Sequence, residues 1–212
     1  MDAESRAPGR RERNKQEKLD RITSAARELF SKYGVDEVTT QQIADKADVG
    51  TGTLFFYAKT KAELLLLVHN VKYAEAVDRG VTVAAAAPGI LDAIMAIVQP
   101  IVACNRVQIE NGRTYLRELV FGDPDEYHHK VGLELTGRVD DAIAGILRRG
   151  GDRNEHDAAQ LARIISAVMF INMTATVFTS LSDDSVVGNI RDQVRTLLGA
   201  QRKEAAAGHV AG

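Results

Sequence analysis

The residues best suited to chemistry lie between Thr39 and Leu65, where the chain reads TTQQIADKADVGTGTLFFYAKTKAELL. Gln41 and Thr51 place an amide and a hydroxyl at the starts of two short helical patterns, and Gly52 lets the backbone come close to a partner. Polar groups carried on helix N-termini suit base edges and phosphates in a DNA groove. Tyr57 can reach either a base edge or a phosphate. Phe55 and Phe56 cannot both be buried in so short a helix, and an exposed Phe can meet thymine methyl groups.

The elements that must position these groups are legible in the same stretch. Thr39 with Gln42 forms a capping box, which satisfies orphan amides at a helix start. Ile43 and Ala47 face inward one turn apart. Asp48-Val49-Gly50 breaks that helix, and the turn is assigned to Gly50. Thr51 to Tyr57 then forms a second short helix, with Leu54 and Ile43 as core. Thr60 and Glu63 make a second capping box before the next helix. Two short helices across a tight turn make a helix-turn-helix, whose second helix can enter the major groove.

Thr39, Thr40, Val49, Gly52, Thr53, Leu54, Tyr57, Lys59, Lys61, Leu64 and Leu65 together resemble the DNA-binding domain of the tetracycline-repressor-like (TetR) transcriptional regulators, over about residues 18–67. The resemblance implies phosphate contacts from Thr40, Thr53 and Lys61. The chain departs from the family pattern at three places. Phe55 stands where a Tyr usually donates its hydroxyl to phosphate, Phe56 where a polar residue or His is frequent, and Ala58 where Phe is common. The family also implies an all-α homodimer with a ligand-sensing C-terminal domain, and dimerisation through its last two long helices.

Composition agrees with a helical, globular chain. Of 212 residues, 45% are hydrophobic, 26% charged and 5% aromatic, with no Trp and four Pro. Alternating strand-like runs are absent. Cys104 is the single cysteine, so an internal disulfide is excluded, and its apolar surroundings read as core. The N-terminus has no apolar secretory stretch and Ile164–Phe178 is too short to span a membrane, so a cytoplasmic protein with no membrane partner is expected. Residues 1–61 hold 12 Lys/Arg against 10 Asp/Glu, and the remainder 15 against 19. Positive charge on one end of an acidic body fits a protein that meets DNA there.

Catalytic patterns are missing. His128-His129 point about 100° apart on a helix, and Glu126-x-x-His129 is one motif where a di-iron bundle needs two. No nucleophile elbow, phosphate-binding glycine loop or cysteine pair occurs. No enzyme activity, no metal and no cofactor is expected.

The expected organisation is a disordered basic arm over 1–13, a helix-turn-helix domain over 14–60, a helical sensing and dimerisation domain over 61–200, and a frayed tail over 201–212. Helices are expected at about 15–32, 61–79, 89–108, 113–120, 125–149, 155–180 and 185–198 besides the two short ones, with Val81–Ala87 as a linker and Pro100 as a kink. Val98, Val102, Tyr115, Leu119, Phe121 and Tyr127 are the candidate lining of an effector pocket for an apolar or aromatic molecule. Ile164 to Phe178 carries no charge on any face, so that helix must bury two sides. Ile164, Ile165, Val168, Ile171, Asn172, Ala175 and Phe178, with Ile190, Val194 and Leu197 on the last helix, are the candidate dimer surface. The reading is a ligand-responsive repressor that binds a double-stranded, pseudo-palindromic operator. The alternative is an accessory helix-turn-helix DNA binder with no effector.

Overall fold

The computed structural model describes residues 9–149, 151 and 153–208, with residues 200–208 described by backbone alone. All regular structure among the described residues is helical. Two compact units divide between Val68 and His69.

The first unit holds α1 (Arg10–Tyr33), α2 (Thr40–Lys46), α3 (Thr51–Tyr57) and the start of α4 (Lys61–Ala86). Its core is small and close-packed. Ile22, Ala26 and Phe30 lie on one face of α1 at helical spacing, and they are buried with Val35, Val38, Ile43 and Leu54. Burying Leu54 alone is worth about 1.5–3 kcal/mol. α1 ends at Gly34, whose φ of 82° favours glycine. The Thr39 capping box forms in full, with Gln42 N–H donating to Thr39 Oγ1 and Thr39 N–H donating to Gln42 Oε1. At the start of α4 the Thr60 hydroxyl accepts from Glu63 N–H, while the Glu63 carboxylate accepts from Lys59 N–H, one residue earlier than a capping box requires.

Two expectations for this unit change. The expected arm over 1–13 falls partly outside the described residues, and Arg10–Arg13 form the first turn of α1 because nothing after Gly9 breaks a helix. The turn between α2 and α3 does not use Gly50, whose φ is −69°. Asp48 takes the left-handed angle instead, at φ 51°, which Asp tolerates better than most residues.

The second unit holds the rest of α4 with α5 (Ile90–Arg106), α6 (Ile109–Phe121), α7 (Tyr127–Arg148), α8 (Glu155–Thr174), a 3₁₀ turn at Thr176–Phe178, and α9 (Asp183–Gly208). Ile94, Ile97, Val98 and Ile101 of α5 fill its centre with Val139 and Ile143 of α7, Leu161 and Ile165 of α8, and Val186 and Ile190 of α9. Arg106 is buried, and its guanidinium ties α5 to the α9 entry through Asp183 at 2.7 Å and the Leu181 carbonyl at 2.6 Å.

Element ends differ from expectation for local reasons. Val81–Ala86 continues α4 rather than forming a linker, because Ala favours helix and no breaker precedes Pro88. α6 starts at Ile109, where the Gln108 side chain accepts from Asn111 N–H. α8 stops at Thr174, whose carbonyl accepts from Arg113 Nε. α9 is capped by the Ser182 hydroxyl, which accepts from Ser185 N–H, and runs on to Gly208; residues 209–212 of the expected tail lie outside the described residues.

The α5–α6 corner demands glycine. A Cβ on Gly112 would sit 1.8 Å from the Asn105 carbonyl oxygen. Gly112→Ala should destabilise the protein by about 3 kcal/mol, read as a lowered midpoint in thermal denaturation.

A buried polar cluster adds pH sensitivity. His69 Nε2 lies 3.2 Å from Asn105 Oδ1, and Asn105 Nδ2 donates to the Ile101 carbonyl, so Nε2 carries the imidazole proton. Burial pushes the His69 pKa down from 6.5 to about 4, opposed by the Asn105 bond and helped by Lys72. Folding therefore releases a proton between these values. Stability is unaffected above pH 6.5 and falls as pH drops toward 4, by up to about 1.4 kcal/mol per pH unit. Urea unfolding at pH 7 and pH 5 should show wild type losing about 2 kcal/mol more than His69→Gln.

Candidate nucleic-acid interface and ligand cavity

α3 is amphipathic over a single two-turn segment. Leu54 is fully buried, and the opposite side presents Gly52, Phe55 and Phe56. Phe55 is 44% exposed and Phe56 75%. Both rings thus stand outside the core, and the choice left open for Phe55 falls to the surface. Gly52 has open space where a Cβ would stand, so a flat partner can reach its backbone. Thr51 and Thr53 are half-buried at the α3 start, and Thr53 N–H donates to the Gly50 carbonyl.

The remaining candidates are held by the unit itself. The Tyr57 hydroxyl donates to the Lys15 carbonyl at 3.0 Å, and its ring meets Phe56 edge-on at 5.5 Å. Lys61 Nζ donates to the Asp36 carbonyl at 3.2 Å. Gln41 is exposed, but its amide donates to Asp45 at 2.7 Å, so reading a base means exchanging that bond. Thr40 is half-buried at the first position of α2. Ala58, where the family pattern often has Phe, is buried, and no room for a ring is needed there.

Charge around this surface is uneven. Lys46 pairs with Glu28 and Arg21 with Asp48, which cancels charge beside α2 and α3. Arg10, Arg11, Arg13, Lys15 and Lys18 are all exposed on the early turns of α1. The expected disordered arm takes in Arg10, Arg11 and Arg13, which instead lie in the first turn of α1.

The second unit contains a cavity of about 400 Å³ between α4, α6, α7 and α8. Leu116, Leu119 and Val120 form one wall and Leu133 and Val139 another. Met169, Phe170 and Met173 close it from α8, and the polar groups in the lining are Tyr73, Thr136 and Ser166. Of the six residues expected to line a pocket, Leu119 lines this cavity and the other five lie elsewhere. Val98 and Val102 are fully buried in the core of α5. Tyr115 is fully buried too, its hydroxyl donating to Asn70 Oδ1 at 2.9 Å and its ring stacked on His69. Phe121 and Tyr127 are 76% and 70% exposed at the ends of α6 and α7, where no element covers them. The α8 residues Ser166, Ala167, Met169, Phe170 and Met173 are not among the expected lining, since a charge-free helix does not itself show which of its sides meets a cavity.

That surface is narrower than expected. Ile165, Asn172, Ile190 and Val194 are buried within the unit, since α8 and α9 pack on each other. Asn172 donates to the Val168 carbonyl and to Gln193. Ile164 and Ile171 are about half exposed, and Val168, Ala175, Phe178 and Leu197 are half-buried. Among the described residues no single helix is long and apolar enough to cross a membrane.

Comparison with known proteins agrees with this arrangement. Residues 22–68 match the family described as bacterial regulatory proteins, tetR family. The HTH-type transcriptional repressor KstR of Mycolicibacterium smegmatis is 26% identical over 191 residues, which span 88% of this chain and 90% of that protein. KstR of Mycobacterium tuberculosis is also 26% identical, over 87% of this chain and 82% of that protein. Among solved structures, FadR of Thermus thermophilus, a TetR-family repressor in complex with lauroyl-CoA, superposes with a TM-score of 0.68 at 21% identity, covering 85% of this chain and 93% of that one. A TetR transcriptional regulator from Rhodococcus sp. RHA1 gives a TM-score of 0.64 at 18% identity, covering 87% and 97%. Residues 22–68 thus carry a helix-turn-helix unit like that of the tetR family of bacterial regulatory proteins, and the fold along most of the chain is like that of solved TetR-family regulators.

Proposed function

We propose that this protein is a cytoplasmic repressor that binds a pseudo-palindromic DNA operator as a homodimer and leaves it when a small apolar molecule fills the cavity of the second unit. The observation that carries this reading is the pairing, in one chain, of an exposed α3 face with an apolar cavity. The KstR relatives are named as repressors, and the FadR neighbour holds an acyl-CoA. The cavity favours this reading over an accessory DNA binder without an effector.

Gln41, Thr51, Gly52, Phe56 and Tyr57 are the residues proposed to meet base edges, with Thr40, Thr53 and Lys61 on phosphates. Two copies joined by a two-fold axis would present two α3 helices to half-sites about 34–36 Å apart. Ligand and operator would then weaken each other by the same factor, about 1–3 kcal/mol in coupling free energy. Selecting fragments from a random DNA pool and repeating the binding with candidate effectors tests the reading. Recovery of no preferred sequence would refute it.

Dimerisation is proposed through the exposed stripe of Ile164, Val168 and Ile171. A charge there would be buried unpaired in the interface, at a cost of several kcal/mol. Ile164→Lys/Ile171→Lys should be a folded monomer by light scattering with unchanged circular dichroism. A dimer of unchanged stability would remove this stripe from the interface.

Phe55 is exposed and has no hydroxyl to offer a phosphate. Phe55→Tyr should tighten operator and random DNA alike, by about tenfold, since a bond to a charged acceptor is worth about 1.5–3 kcal/mol and exposure keeps it near the low end. The melting temperature should not move. Equal affinities for wild type and variant in fluorescence anisotropy would show that Phe55 does not face the backbone.

A further inference from the structure

We propose, on the basis of the effector reading above, that the molecule taken by this cavity buries an uncharged apolar body bearing one hydrogen-bond-accepting oxygen, and that the Tyr73 hydroxyl recognises this oxygen. The lining holds three hydroxyl groups, and two have committed their protons. Thr136 Oγ1 donates to the Leu133 carbonyl at 2.8 Å, and Ser166 Oγ donates to Asp140 Oδ1 at 2.5 Å. Tyr73 is only 4% exposed, and among the described residues its hydroxyl has no acceptor. Its ring is fixed against Tyr115, with centroids 5.6 Å apart. The hydroxyl faces the cavity, so a ligand oxygen can take the place of solvent there and accept its proton in an apolar surrounding, where the bond is stronger than in water.

The ligand's charge follows from the same lining. No Lys, Arg, Asp or Glu is among the residues that line the cavity. A buried carboxylate or phosphate would find no counter-ion. Asp140, which accepts from Ser166 and acts on Tyr73, would repel an anion. Burial also holds the Tyr73 phenol in its protonated form, so it donates and does not attract cations. A ketone, ester, ether or alcohol oxygen on an apolar skeleton meets all these conditions.

Three probes of one skeleton test the proposal by calorimetry on the full chain: diphenylmethane, benzophenone and diphenylacetate. Benzophenone should bind about threefold to tenfold more tightly than diphenylmethane, the worth of one neutral hydrogen bond. Diphenylacetate should bind more weakly than both. In Tyr73→Phe the benzophenone advantage should vanish, and the variant should melt no lower than wild type because it loses only an unbonded hydroxyl. Equal affinities for benzophenone and diphenylmethane, an advantage that survives Tyr73→Phe, or a lower melting temperature of the variant would each overturn the role of Tyr73 while leaving the cavity as a ligand site. Tightest binding by diphenylacetate would overturn the uncharged class. Binding of none of the three would overturn the effector reading itself.

Discussion

Asn70 is the constraint on which the second unit is built. Its Oδ1 accepts from the Tyr115 hydroxyl of α6, and its Nδ2 donates to the His128 carbonyl of α7 at 2.8 Å. One side chain on α4 therefore holds the register of three helices. Apolar packing alone tolerates sliding, because Leu against Leu is nearly as good one position along. A buried amide is not tolerant in this way, since each unpaired group costs about 1–3 kcal/mol. Gly132 makes the arrangement possible. A Cβ there would meet Leu119 Cδ2 at 2.3 Å and Asn70 Oδ1 at 3.2 Å. The cavity walls of α4, α6 and α7 are thus set by directional bonds, and the space between them is left where no side chain reaches.

α8 closes that space and explains its own composition. A helix free of charge from Ile164 to Thr174 faces three environments rather than two. Ile165 and Asn172 enter the core, Ser166, Met169, Phe170 and Met173 turn to the cavity, and Ile164 and Ile171 face outward. The neutral hydroxyl of Ser166 and the flexible Met side chains suit a wall that must accept a ligand, because Met adapts to irregular shapes. The same length therefore serves stability, the proposed recognition of an effector and the proposed contact between subunits.

α4 contributes residues to both units. It runs unbroken from Lys61 to Ala86, with its capping bonds at Thr60 and Glu63 at one end and Asn70 and Tyr73 one turn apart further along. In the proposed reading, a ligand on Tyr73 would act on a helix that Asn70 and His69 already hold by side-chain bonds. The coupling needs only that ligand-filled and DNA-bound states prefer different placements of this helix.

The sequence by itself determined the first unit nearly to the residue. Thr39 with Gln42, Leu54 against Ile43, and Gly34 after α1 act over three or four positions, so their outcome is fixed by local geometry. It also determined that the regular structure of the described residues is helical. Asp48 rather than Gly50 taking the left-handed angle was not legible, because both residues can adopt it and only the surrounding turn chooses. The pocket was not legible either. Val98, Tyr115, Leu119 and Phe121 are equally apolar in the sequence, yet one lines the cavity, two are core and one is exposed. That difference depends on helix crossings fixed by contacts 45 to 58 residues apart, Asn70 with Tyr115 and with His128. Only the tertiary structure decides which side of each helix meets another, since apolar periodicity names a buried face but not what lies opposite it.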